Sequence, residues 1–268
     1  MALSFDRGYS TPAAVVVRSL AKTLARDTAV TFWIMCPGPR DRVHDLVTAA
    51  CADVAGCEVV FLEVPDWILE LPAQRYISSS AYGRLALPHL VDESVERLLY
   101  LDADTVVVGD LTPVATLDLG GRPLGAVVEP TDPFHWCRKG LDGGPWDFSY
   151  DTLYFNSGVL VMELPALRRL RFTEACVAYV QRWRSERQDQ DAINAVMADR
   201  ITPIPVVYNV ETYFFRSPSR RERYAEMLRQ AKVLHWAGSK KPWNTADIWC
   251  GEAWHGIRGE LPDLGQDR

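Results

Sequence analysis

Roughly 18 consecutive apolar residues are needed to span a bilayer, and this 268-residue sequence supplies them nowhere, because charged side chains interrupt every hydrophobic stretch. Residues 1–20 also lack the basic segment and following apolar block of a secretory leader. Positive charge is in deficit: 29 Lys and Arg stand against 35 Asp and Glu, a net of −6 spread along the chain. That leaves no basic face to hold a nucleic-acid backbone by counterion release. The cysteines (Cys36, Cys51, Cys57, Cys137, Cys176 and Cys250) include no C-x-x-C pair and no regular spacing. They argue against a zinc site and a disulfide framework, and they read as free thiols. No internal repeat and no linker-like run divides the chain, so one domain over residues 1–268 is the economical reading. What remains is a soluble, cytoplasmic chain, 48% hydrophobic and able to bury a sizeable core, with disorder excluded.

The first half alternates short apolar runs with segments of helical period. Residues 2–5, 30–36, 57–64 and 96–101 read as strands, and 43–55 and 80–90 as helices. Ser10 is placed to cap a helix that carries Ala13, Val16, Val17, Leu20 and Leu24 at helical spacing, with Pro12 near its first turn. Strands separated by helices predict an α/β fold, a Rossmann-like domain with a mostly parallel central sheet flanked by helices. Ligands in such sheets bind beyond the carboxyl ends of strands, where Asp6 and Asp102 stand. In the second half, strands are predicted at 124–129, 155–163 and 233–235, and an extended piece at 204–208. An amphipathic helix is predicted over 165–187, a helix capped by Asp189 to 199, and a closing helix over 248–258.

The sharpest local signal is Arg97-Leu-Leu-Tyr-Leu-Asp-Ala-Asp-Thr-Val-Val-Val108, an apolar strand that delivers Asp102 and Asp104 to its end. Residues two apart in an extended chain project to the same side, so both carboxylates can face one hard cation. The spacing also arises by chance, as in Asp189-Gln190-Asp191, but two unpartnered carboxylates at a buried strand end would repel each other without a cation between them. His235, ending the Val233–His235 run, can add a nitrogen ligand, a mixed set that suits manganese better than magnesium. Gly238 lets backbone approach a ligand, and Lys240 or Lys241 can neutralise phosphate. By themselves, such a histidine is commonly a structural hydrogen-bonder and such a lysine pair a solvated turn. Arg84 can reach a diphosphate bidentately or serve a surface ion pair. Asn156-Ser157-Gly158 breaks a strand pattern, and its glycine suggests a bulge or a close backbone approach to a ligand. Asp189-Gln190-Asp191 opens a helix, so one acid there is a cap and another group can point into a site.

In this order the blocks resemble the retaining glycosyltransferases of family 8, the group containing glycogenin and the bacterial lipooligosaccharide galactosyltransferases. The resemblance runs from Ser4-Phe-Asp-Arg-Gly-Tyr9 through Tyr82-Gly-Arg-Leu85, Leu99-Tyr-Leu-Asp-Ala-Asp104, Tyr154-Phe-Asn-Ser-Gly158 and Asp189-Gln-Asp191 to His235-Trp-Ala-Gly-Ser-Lys-Lys-Pro-Trp243. It implies a GT-A fold, a nucleotide diphosphate sugar donor, typified by UDP-sugars, and manganese or magnesium. By position, Asp102, Asp104 and His235 resemble the metal ligands, with Ala103 between the two acids in the donor site. Asp6 and Tyr9 resemble nucleoside contacts and Arg84 a donor contact. Asn156, Gln190 and Asp189 match residues near the transferred sugar, and Gly238 and Lys241 match a lid over the diphosphate. Where the family often has Asp or Asn in the first block, this chain has Arg7 and Gly8. The implied division is a nucleotide-binding half (1–110), a sugar and acceptor half with the phosphate lid (111–245), and a C-terminal helix and tail (246–268).

A cation with Lys241 and Arg84 would stabilise the negative charge that grows on the departing diphosphate. Retention requires a covalent glycosyl-enzyme or attack from the leaving-group face. Gln190 is a poor nucleophile, so the first route would recruit Asp189 or Asp191. The expected partners are a nucleotide sugar and a soluble small-molecule or glycan acceptor, with Trp67, Trp136 and Trp146 able to stack on sugar rings. Tyr100-Leu-Asp-Ala-Asp-Thr-Val106 also fits the nucleophile motif of haloacid-dehalogenase phosphatases, with Asp102 as nucleophile and Asp104 as acid/base. Yet that motif belongs on a first strand, and three strand-helix units precede it here. A sugar-nucleotide pyrophosphorylase would need a Gly-rich phosphate loop after the first strand, which Asp6-Arg-Gly-Tyr9 is not. A non-catalytic sugar-nucleotide-binding module remains the alternative of a different class.

Overall fold

The computed structural model describes residues 1–25, 27–39, 41–72, 78–134, 152–183 and 187–262. Its strands are β1 (Ala2–Ser4), β2 (Val30–Met35), β3 (Cys57–Leu62), β4 (Arg97–Leu101), β5 (Thr105–Val107), β6 (Leu124–Val128), β7 (Phe155–Glu163), β8 (Ile201–Pro203), β9 (Val210–Glu211) and β10 (Val233–His235). A seven-stranded sheet has the order β3-β2-β1-β4-β7-β6-β8, and a three-stranded sheet has the order β5-β10-β9. In the large sheet β3, β2, β1 and β4 run parallel, β7 runs antiparallel to β4 and β6, and β8 is parallel to β6. The expected mostly parallel α/β sheet is therefore present, with one reversed strand at its centre.

Helices cover both faces of the large sheet, and β4 and β7 show why it is apolar throughout. Leu99, Leu101, Val159 and Val161 join one core with the Ser10–Thr23 helix, while Leu98, Tyr100, Leu160 and Met162 join the other with Leu85, Phe172 and Ile193. Successive residues of a strand face opposite ways, so a strand buried on both sides must be hydrophobic at every position.

Several predicted boundaries shift. The first long helix begins at Ser10 itself, after a 3-10 turn at Arg7–Tyr9, so Ser10 is inside the helix and makes no capping bond. The second helix stops at Ala49, and turns then lead to Gly56, which has a φ of +81°. The amphipathic segment over 165–187 is two helices, Leu164–Arg169 and Phe172–Arg182, broken where Arg171 adopts a φ of 51°. Arg168 fastens the first of them by donating to the carbonyls of Pro88, Val91, Asp92 and Glu93, and that anchoring overrides an unbroken helical pattern. Residues 204–208 include a 3-10 turn, Val206–Tyr208, and the strand lies earlier, at Ile201–Pro203.

Candidate active site

The site is built where the two sheets meet. β4 ends at Leu101, and the backbone N–H of Asp102 donates to the Gly158 carbonyl (2.8 Å), tying it to β7. The chain turns through buried Ala103, passes Asp104 and leaves as β5 in the small sheet, where Thr105 pairs with His235 of β10. Trp236 N–H donates to the Asp104 carbonyl at 3.1 Å. Residues far apart in sequence are thereby set side by side, with His235 Nε2 lying 3.2 Å from Asp104 Oδ1 and 4.0 Å from Asp102 Oδ2. One potential ligand atom from each of Asp102, Asp104 and His235 falls within 4.8 Å of the others. Two carboxylates and an imidazole nitrogen fit one divalent cation.

Positive groups surround this cluster. Lys241 is buried, and its ammonium donates to Asp104 Oδ2 and, at 2.7 Å, to the Trp236 carbonyl, whereas Lys240 is exposed. Burial opposes ionisation of Asp104, but Lys241 and His235 together hold its carboxyl far below the usual carboxylate range. Burial also favours neutral His235, yet Asp104 and Asp102 outweigh it and raise the imidazole pKa above its ordinary value. Arg84 lies beneath Asp102, from a helix (Gly83–Leu90) whose first residue touches the strands. A Cβ on Gly83 would come within 2.0 Å of Ser4 Oγ and 2.8 Å of Met35 Sδ. The Arg84 guanidinium donates to Asp102 Oδ1 (2.7 Å), the Ser157 carbonyl (2.6 Å) and the Ser157 hydroxyl (2.9 Å), and its Nε lies 3.1 Å from Asp189 Oδ2.

On the β7 side, Asn156 and Gln190 converge on a carboxylate that motif reading passed over, Glu129. Asn156 Nδ2, Gln190 Nε2 and Arg187 Nη1 each lie 3.3 Å from Glu129 Oε2, and Gln190 Oε1 accepts from Ser157 N–H at 3.1 Å. Glu129 follows β6 as Asp102 follows β4, so the strand-end rule applied to Asp6 and Asp102 could have found it. Asp189, predicted as a cap, is instead the second residue of the Gln188–Met197 helix and is buried against Arg84 and the Ser157 hydroxyl. Burial raises its pKa to about 6, with Arg84 opposing and Asp102 adding to the rise. Asp191 accepts from the Arg187 N–H at 3.0 Å and from the Tyr154 hydroxyl. Asn209 and Glu211 also reach this region, and no local pattern announces either. Glu211 is buried with no partner for its Oε1 among the described residues, and burial and then Glu129 raise its carboxyl to about 8.

The first block and the segment from His235 to Trp243 meet at the other edge. Tyr9 stands edge-on to Trp243 with ring centroids 5.5 Å apart, and burial followed by Asp104, Asp6 and Asp102 raises its hydroxyl to about 12. Gly238 is exposed in that segment with a φ of +91°, a conformation that favours glycine. Trp67 packs against the core, and Trp136 and Trp146 lie outside the described residues.

A cation-competent acidic turn at the end of a central strand, in a mostly parallel sheet joined to a smaller one, defines a GT-A glycosyltransferase fold. The galactosyltransferase LgtC, solved in complex with donor and acceptor sugar analogues, superposes with a TM-score of 0.81 at 24% identity, covering 99% of this chain and 97% of that one. The chain belongs to glycosyl transferase family 8, whose family model matches residues 1–247. General stress protein A of Bacillus subtilis is 29% identical over 203 residues, 71% of this chain and 68% of that protein. The lipopolysaccharide 1,2-glucosyltransferase of Escherichia coli is 28% identical over 180 residues, 65% of this chain and 52% of the relative's length. Family membership removes the phosphatase reading.

Proposed function

We propose that this glycosyltransferase moves a hexose from a nucleotide diphosphate sugar, a UDP-sugar in the first instance, to a hydroxyl of a soluble molecule or glycan, with retention to an α-linked product. The observation that carries the reading is the convergence of Asp102, Asp104 and His235 beside buried Lys241. Asp102, Asp104 and His235 would hold manganese or magnesium. When bound, that cation supplies Lewis-acid stabilisation of the charge developing on the leaving diphosphate. Lys241, on the lid, adds a positive charge, while Arg84 positions Asp102 and Asp189 and contributes its own field to the donor site. Asp6 and Tyr9 would contact the nucleoside, Tyr9 standing edge-on to Trp243, and Gly238 would let its segment approach the diphosphate closely.

Front-face attack is the mechanism that the side-chain partners favour. Asp189 and Asp191, the candidates for a covalent intermediate, are both spent on protein partners, and Gln190 is held at both ends of its amide. In this mechanism Gln190 or Asn156 would exchange its bond to Glu129 for one to the sugar or the incoming acceptor, and the departing phosphate would take the acceptor proton. No described helix is long and apolar enough to cross a membrane, and a cytoplasmic setting, where nucleotide sugars are made, belongs to the same proposal.

Purified protein with manganese and a panel of nucleotide sugars tests this directly. Nucleoside diphosphate release is expected with one donor, slowly to water and faster with an acceptor. Asp102→Asn or Asp104→Asn is expected to abolish turnover and metal-dependent nucleotide binding together. Full activity of either variant in chelator-treated buffer overturns the site, and binding of nucleotide sugar without any turnover would support a binding module. NMR of the anomeric proton distinguishes the α product from the β product of an inverting enzyme. Gln190→Ala is expected to slow transfer on the order of 10²-fold without leaving sugar on the protein in intact mass spectra. A glycosylated Asp189 or Asp191 would replace front-face attack by double displacement.

A further inference from the structure

Asn209 is joined to His235 by a hydrogen-bond line whose direction can be deduced. The backbone N–H of Gly158 can only donate, and it reaches Asn156 Oδ1 at 2.8 Å. That fixes which end of the Asn156 amide is oxygen, and the other end, Nδ2, accordingly faces the Glu129 carboxylate. The same Asn156 oxygen lies 2.8 Å from Asn209 Nδ2, so Asn209 donates its NH2 group there. Its own carbonyl oxygen is thereby turned to His235 Nδ1, 2.8 Å away. An oxygen at that distance requires the proton on Nδ1, so whenever the ring is neutral its lone pair is on Nε2. Nε2 is the nitrogen that faces Asp104 and Asp102.

The line is sealed from water: Asn209 is 0% exposed, His235 3% and Asn156 5%. Little competes with these bonds, and a wrong amide orientation would set oxygen against oxygen in the core. Packing alone does not require an amide at position 209, because an aliphatic side chain would fill similar space. The amide is needed to receive one proton and give another.

We propose that Asn209 is a positioning residue for the cation site: it holds His235 as the Nδ1–H tautomer with Nε2 aimed at the metal. Through Asn156 it makes that orientation depend on the sugar side of the site. The proposal rests on the reading of His235 as a metal ligand, and its test separates the two. In metal-free wild-type protein with nitrogen-15 histidine, NMR at a pH where His235 is neutral is expected to find the ring proton on Nδ1. A proton on Nε2 overturns the proposal, with no metal involved. Manganese binding without nucleotide, followed by electron paramagnetic resonance, is expected to weaken ten- to hundredfold in Asn209→Leu. Asn209→Asp keeps an acceptor for Nδ1–H while opposing the Asn156 oxygen, so it is expected to bind manganese nearly as wild type does but transfer sugar more slowly. Equal weakening by the two variants, or none by Asn209→Leu, overturns the proposal. Unchanged manganese affinity in His235→Ala would instead remove the ligand reading, while the ring NMR would still decide the role of Asn209.

Discussion

Lys240 and Lys241 are neighbours in sequence with opposite environments, one in solvent and one buried on Asp104. A surface lysine is worth little, whereas a buried ammonium on a carboxylate shapes the charge of the whole site. Lys241→Ala is therefore expected to lower kcat and donor affinity well beyond Lys240→Ala, as nucleotide titration and initial rates would measure. Equal losses would mean that the buried lysine has no special place at the diphosphate. The sequence alone left the two lysines distinguishable only by family position, because two adjacent residues in a loop have no period from which burial can be read. Asn209 was less legible still: nothing within several residues of it indicates that His235, 26 residues further on, needs its carbonyl.

Among the elements, β7 carries the most information per residue. Its apolar half, Val159 to Met162, reads as a strand because burial on both faces leaves no room for a polar residue. Its Asn-Ser-Gly start reads as an interruption, and the structure gives the reason for the glycine. A Cβ at Gly158 would stand 2.5 Å from His235 Cε1 and 2.9 Å from Nδ1, so the imidazole rests directly on the backbone. Gly158→Ala is expected to keep the sheet but push the ring off its place, weakening manganese binding and slowing transfer on the order of 10²-fold. Circular dichroism and metal titration on the same sample would check it, and unchanged metal affinity would show that the ring can shift without cost. The D-x-D strand end was legible for the same physical reason as the core of β7: an apolar run that stops at charge marks where the sheet ends. The break at Arg171 was not legible, since the carbonyls that anchor Arg168 come from an element about 80 residues away.

The molecule as a whole carries a buried carboxyl whose effect should be visible in its stability. Glu211 titrates at about 8 when folded, against an ordinary 4.5. Between these values the native chain keeps a proton that the unfolded chain has released. The stabilisation from this group is therefore intact below pH 4.5 and is lost as pH rises toward 8. Glu211→Gln cannot ionise, so in metal-free buffer its urea midpoint is expected to fall less across that window and to exceed the wild-type midpoint at pH 8. Parallel curves for the two proteins would assign the carboxyl an ordinary pKa. The joining of the two sheets has a consequence in time as well as in space. Lys241 and Asp104 are 137 residues apart in the chain, and Arg84 and Ser157 are 73 apart. Contacts of such span close long loops, whose entropy cost must be met before the contacts reward it. On a ribosome, Asp102 and Asp104 emerge long before β10 can pair with β5, so the growing chain holds two neighbouring acids with neither the imidazole nor the ammonium that later offsets them. The three candidate ligands are thus assembled only with the last strand, and metal affinity in a refolding experiment is expected to serve as a clock for completion of the fold.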